Sequence, residues 1–187
     1  MKRNIEIDDT LQERVDSAIE DVKAELLNYL DQNPDTDEVP CISNDLDYSG
    51  AIHEIVDGSV PIYTSEIEGL WFLYGSEFEE AYEDAGCGEN PRENNGMAAI
   101  YYYIDQKVRE WYDGNAEDVF EEWKEKRDAA MEDARAKGVA KGGLDAATME
   151  EYDQSSNPFD RESALWDAWN DAYEEAFDAV KDEEDAE

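Results

Sequence analysis

Apolar residues recur along most of the chain at spacings of three and four, the period of a helix with one buried face. Leu11, Val15, Ile19, Val22, Leu26 and Leu30 form one stripe, which predicts a helix over about residues 11–30. Thr10 and Glu13 have the spacing of a capping box at its start. Pro34 and Pro40 in QNPDTDEVPC break it. Residues 49–57 and 62–74 read as two short helices separated by GSVP. Ser76 and Glu79 cap a third, EFEEAYEDAG, which Gly86 closes; GCGENPRENNG is a loop.

In residues 96–112, Met97, Ile100, Tyr101, Ile104, Val108 and Trp111 make one face. Asn115 is placed to cap a further helix, lined by Val119, Phe120, Trp123 and Met131, which the glycine-rich turn GVAKGG ends. The last helix begins near Asp160 and buries Leu165, Trp166, Trp169, Ala172, Tyr173, Ala176, Phe177 and Val180. No strand period occurs. The expected fold is all-α, an irregular bundle of short and medium helices with a long acidic C-terminal helix. The expected organisation is an acidic helical core over 1–137, a glycine-containing linker over 138–158, and an amphipathic helix over 159–187 docked on the core.

Charge changes the picture. The 187 residues carry 52 acids and 15 bases, a net charge of −37, together with 5 Trp, 11 Tyr and 5 Phe. The aromatic content is too high for a disordered acidic tail, so the chain folds against its own repulsion. Bases are unevenly spread. No Lys or Arg occurs from residue 24 to 91, a span with 17 acids. Residues 159–187 hold 12 acids against Arg161 and Lys181. Six bases gather between Lys124 and Lys141, against four acids. Asp167, Asp171, Glu174 and Asp178 follow spacings of 4, 3 and 4, about one per 5.4 Å turn of a single face, and Glu175 widens it.

Duplex DNA carries one charge per ~1.7 Å of axis, so 37 charges match at most about 63 Å, or roughly 18 base pairs. Carboxylates held on helices have the sign and spacing to meet the Lys and Arg of a DNA-binding groove. The candidate phosphate-mimicking acids are Asp45, Asp47, Glu54, Asp57, Glu66, Glu77, Glu79, Glu80, Glu83 and Asp84 in the first half of the chain. Asp113, Glu117, Asp118, Glu121, Glu122, Asp167, Asp171, Glu174, Glu175 and Asp178 continue the set.

Other readings of the same residues have less support. Salt adaptation would make the surface acidic everywhere, whereas a basic stretch interrupts it. NDLDYSGAIHEIV resembles a calcium loop, with Asp45, Asp47, Ser49 and Gly50 at positions 1, 3, 5 and 6, but Val56 stands where a bidentate Glu belongs. The single His53 has no Ser or Cys motif beside it and reads as a core or boundary residue. No nucleotide, metalloprotease or serine-hydrolase motif is present, and nothing calls for a metal or cofactor. Cys41 and Cys87 read as free thiols. The N-terminus lacks a signal-peptide pattern and no run is long enough to span a membrane, so a cytoplasmic protein is expected.

Residues 45–68 and 82–123 carry DLDYSGAIHEIVDGSVPIYTSEI, YEDAG and IYYYIDQKVREWYDGNAEDVFEEW. In these stretches, and loosely from residue 10, the chain resembles the Ocr family of phage anti-restriction proteins. Ile52, His53, Val60, Pro61 and Tyr63, with Asn-Ala-Glu-Asp at 115–118, carry the likeness. The resemblance implies an all-α homodimer that imitates bent B-form DNA and occupies the DNA groove of type I restriction–modification enzymes. It implies that the protein is no enzyme, does not itself bind nucleic acid, and dimerises through Leu70, Trp71 and Phe72. Residues 124–187 have no counterpart in the family's pattern.

Overall fold

The computed structural model describes residues 2–88, 90–148, 151–161 and 163–185. Positions 89, 149 and 150, within the expected loop and linker, and 162, 186 and 187, within the expected last helix, lie outside the described residues. The described residues are mostly helical with no strand, in five α-helices whose connections hold short 3-10 and π-helical turns: the fold is all-α. They form two compact units, Met1–Phe120 and Glu121–Glu187.

In the first unit α1 (Lys2–Gln32) buries Leu11, Val15, Ala18, Val22, Leu26 and Leu30 along one stripe and packs on α2 (Ala51–Ser59) and α3 (Thr64–Asp84). It begins well before the expected capping box, so Thr10 lies inside the helix rather than at its end. Ala18 takes the fully buried place expected for its neighbour Ile19, which is only half-buried. A π-helical turn, Ile42–Leu46, precedes α2, and Gly50 starts α2 at φ +84. That left-handed conformation suits glycine, which has no Cβ to clash.

The two helices expected over 62–85 are one. α3 continues through Gly75 and Ser76, and a non-helical Tyr74 (φ −123, ψ 21) marks a kink where the break was expected. Likewise α4 (Met97–Ala146) takes in both helices expected between 96 and 137. Asn115 does not cap: its side-chain amide donates to the Trp111 carbonyl one turn back. The apolar period passes through Val108, Tyr112, Ala116 and Phe120 without a shift of phase, and this continuity outweighs the local capping preference.

The second unit departs furthest from expectation. GVAKGG ends nothing; it is the last part of α4. A Cβ at Gly138 would run into the Trp169 carbonyl of α5 (Ala164–Asp185), and one at Gly142 into the Tyr173 carbonyl. The glycines are therefore points of close approach between helices, not a turn. Both pairs advance by four residues, so α5 runs in the same direction as the part of α4 it touches. Short connections join antiparallel helices, and a parallel neighbour needs a longer return. The described residues 151–161 belong to it. Tyr152 donates to Asp178, the Asp153 N–H to the Tyr173 hydroxyl (3.0 Å), and Asn157 to the Trp166 carbonyl (3.0 Å). These partners descend α5 as the strap ascends in sequence. Of the linker expected over 138–158, the first part is α4 and the described residues 151–158 are a packed strap, and Phe159 just beyond it packs on a core of Ala146, Trp169, Tyr173 and Phe177.

Candidate partner-binding surface

Each acidic helix buries an apolar stripe, and the stripe decides where its carboxylates point. In α2, Ile52 and Val56 are buried, leaving Glu54 and Asp57 exposed. The second half of α3 buries Phe78 and Ala81 and exposes Glu77, Glu79, Glu80, Glu83 and Asp84. In α4, Tyr112, Ala116 and Phe120 face inward while Asp113, Glu117 and Asp118 are exposed. In the second unit Glu121 and Glu122 are exposed on α4. On α5, Trp169, Tyr173 and Phe177 are buried at four-residue spacing, and Asp167, Asp171, Glu175 and Asp178 are exposed; Glu174 is half-buried.

Several of the predicted acids already have partners. Asp45 accepts the Cys41 N–H (2.6 Å), and half-buried Asp47 accepts the His53 N–H (3.1 Å). These carboxylates close the turn before α2, and Val56, at position 12 of the calcium-like loop, is buried in α2. Glu66 is half-buried in an ion pair with Arg14 (2.9 Å), whose guanidinium also donates to the Ser59 carbonyl (3.1 Å). Glu77 accepts from Ser76 (2.9 Å), Glu122 pairs with Lys126 (2.7 Å), and Asp178 holds the Tyr152 hydroxyl. That hydrogen bond, more than anything else, pushes the Tyr152 phenol up to about 12. By contrast, Glu79, Glu80, Glu83 and Asp84 of α3 are exposed, and their carboxylates make no hydrogen bond or ion pair among the described residues. The same holds for Asp167, Asp171 and Glu175 of α5.

The three residues expected at a dimer contact separate. Leu70 is 0% exposed and Trp71 4%, both inside the first unit, whereas Phe72 is 82% exposed. Trp71 packs edge-on against Phe78, carries the Arg92 guanidinium over its ring (4.3 Å), and donates its Nε1–H to the Gly96 carbonyl (3.3 Å). Gly96 has φ +77, and a Cβ there would enter the indole. Leu70 and Trp71 are thus core residues, and only Phe72 is available to another molecule. The helical period carries the reason: successive residues lie ~100° apart, so three in a row cannot share one exposed face.

His53 is on the surface rather than in the core. Its Nδ1 shares a hydrogen bond with the Tyr101 hydroxyl (2.7 Å). Burial, then Asp105 and Asp47, push the Tyr101 phenol up to about 12. Cys41 and Cys87 are free. No group of side chains among the described residues is arranged to hold a metal ion, and no described helix is long and apolar enough to cross a membrane.

Sequence reasoning overlooked the small residues of the second unit. Ala164, Ala168 and Ala172 lie beside Asp167, Asp171 and Glu175 in a groove that also contains Arg135. The signal was present as a four-residue spacing of alanines on α5 and of glycines at 138 and 142. The glycines suggested a turn only because their pairing partner lies far along the chain. In comparisons with family models, curated proteins and solved structures, nothing matches this chain.

Proposed function

We propose that the protein is a DNA-mimic inhibitor. It acts by binding: helix-borne carboxylates stand in for phosphates and occupy the basic groove of a DNA-binding protein. One observation carries this reading. The exposed carboxylates of Glu79, Glu80, Glu83 and Asp84 on α3 and of Asp167, Asp171 and Glu175 on α5 sit on helices anchored by buried rings, and make no ion pair among the described residues. A partner's Lys and Arg are the missing counter-charges, and pairing with them would release bound ions as DNA does. The likeness to the Ocr family supports the same class and makes a type I restriction–modification enzyme the first candidate target. The place of action is then the cytoplasm, that of the host if a phage encodes the chain. Self-association, if the family's dimer is kept, uses Phe72.

The test is competition. The protein should displace duplex DNA from such an enzyme, less well as salt rises, and should not bind DNA itself. Tight binding of DNA by the purified protein would falsify the reading. The rival readings separate cleanly. A salt-adapted protein melts at low salt and refolds in molar salt. A calcium-binding protein keeps its function when the α5 acids are neutralised. Calcium has the less support, because Asp45 and Asp47 already serve the backbone.

A further inference from the structure

The groove between the second half of α4 and the first half of α5 has a volume of about 290 Å³. Sites for whole small molecules begin at roughly that size, so this one suits a single long side chain. Its floor is apolar, with Ala168 and Ala172 buried at the base. One wall is a ladder of three carboxylates, Asp167, Asp171 and Glu175, about 6 Å apart along the helix. Arg135 also lines the groove, and among the described residues it makes no ion pair with any of the three. The lining is therefore left with two uncompensated negative charges over an apolar floor.

We propose that this groove receives an arginine side chain from the partner's basic surface. The methylene stem would lie on the alanines, as long cationic side chains do on apolar surface. The planar guanidinium would reach the carboxylate ladder, where its fork of donors fits carboxylate oxygens better than a lysine ammonium does. This rests on the reading of the protein as an inhibitor that binds a basic protein surface, and it names the contact made by the C-terminal unit.

The experiment uses the whole chain labelled with ¹⁵N, titrated with N-acetyl-arginine amide at physiological ionic strength, where charges beyond about 8 Å are screened. Saturable shifts are expected at the amides of Ala168, Asp171 and Ala172. Guanidinium chloride, which lacks the stem, and N-acetyl-lysine amide should bind more weakly. The variant D167N/D171N/E175Q should lose about tenfold or more in affinity, as expected when charge-assisted hydrogen bonds are removed. The variant D35N/D37N/E38Q, in the exposed segment after α1, makes the same change in net charge and should bind the probe as the wild type does. Shifts spread over both units, or equal loss in the two triple variants, overturn the proposal. Its fate is separable from that of the mimicry. Saturable binding here by a protein that displaces DNA from no enzyme sinks the mimicry and keeps the groove. Full inhibition of an enzyme with no saturable shift at Ala168 and Ala172 does the reverse.

Discussion

The two units bear nearly the same burden of charge and carry it on different cores. Residues 1–120 have 30 acids and 7 bases, net −23; residues 121–187 have 22 and 8, net −14. Per residue the repulsion is about equal. The first unit opposes it with aliphatic stripes from several helices, Leu26, Leu30, Ile52, Leu70, Ile100 and Ile104 among them. The second has no buried Leu, Ile or Val among its described residues; its core is Trp123, Trp169, Tyr173 and Phe177 with small alanines. A unit of fewer than 70 residues buries a smaller share of its surface, so each buried side chain must contribute more. Large rings stacked closely meet that need. Trp169 and Tyr173 lie 4.8 Å apart and nearly parallel. The same aromatic face that holds α5 down also leaves its acids outward. Stability and charge display are coupled there through a handful of rings, where the first unit distributes the task.

The sharpest way to break this contrast is to delete one ring from each core. Trp169→Ala and Phe78→Ala should each cost about 3–5 kcal/mol. The loss from Trp169→Ala should appear as early melting of the second unit, followed by near-ultraviolet circular dichroism. A Trp169→Ala protein that melts as the wild type does would show that the aromatic core is not what holds α5.

Glycine substitutions come next and should differ in sign. Gly142→Ala sets a methyl against the Tyr173 backbone, which cannot swing aside, and should destabilise by about 1–3 kcal/mol despite alanine's better helix propensity. Gly114→Ala, in the part of α4 that belongs to the first unit, meets nothing within 4 Å and should stabilise by about 0.5–1 kcal/mol. Urea titration of the two variants measures both.

Neutralising acids should move stability least. Replacing Asp167, Asp171, Glu174 and Asp178 with Asn and Gln should relieve repulsion worth about 0.2–0.5 kcal/mol per helix-spaced pair. Part of that gain is offset at Asp178 by a weaker hold on Tyr152. The same variant should inhibit DNA binding less well. If it inhibits as well as the wild type, α5 is scaffold and the mimicry resides in the first unit.

Phe72→Asp should leave stability within about 0.5 kcal/mol, since Phe72 is exposed, and act only on self-association. Sedimentation at micromolar concentration reads it: a dimeric wild type and a monomeric variant are expected. Trp71→Asp is no substitute, because it buries a carboxylate in the core.

Periodicity made the helices legible and punctuation obscured their ends. The stripe of α1 and the aromatic face of α5 were readable because burial needs only the 3.6-residue period. The errors lie at Thr10, Ser76, Asn115 and Gly138–Gly143, each a capping or breaking signal that did not end a helix. Such signals are worth about 1 kcal/mol, and a continuous buried stripe outweighs them. The exposed carboxylates were legible for the same reason as the core, being its complement. Three things were not. Asp45 and Asp47 bind backbone N–H groups, Leu70 and Trp71 are internal, and the strap at 151–161 returns beside α5. The Asp45 and Asp47 bonds reach only four and six residues, but the calcium-like spacing masked them; the other two depend on contacts between residues distant in sequence, which no local pattern encodes.

The close approach at Gly138 and Gly142 fixes an angle as well as a distance. Two backbone contacts one turn apart act on α5 as a key acts in a slotted shaft: they stop the helix from rolling about its own axis. A roll of one residue is roughly 100°, enough to carry the row Asp167, Asp171 and Glu175 out of the groove it lines. A bulky residue in the slot would therefore do more than loosen the unit. It would re-aim the charges, and a protein still helical and still folded would present its carboxylates at the wrong azimuth.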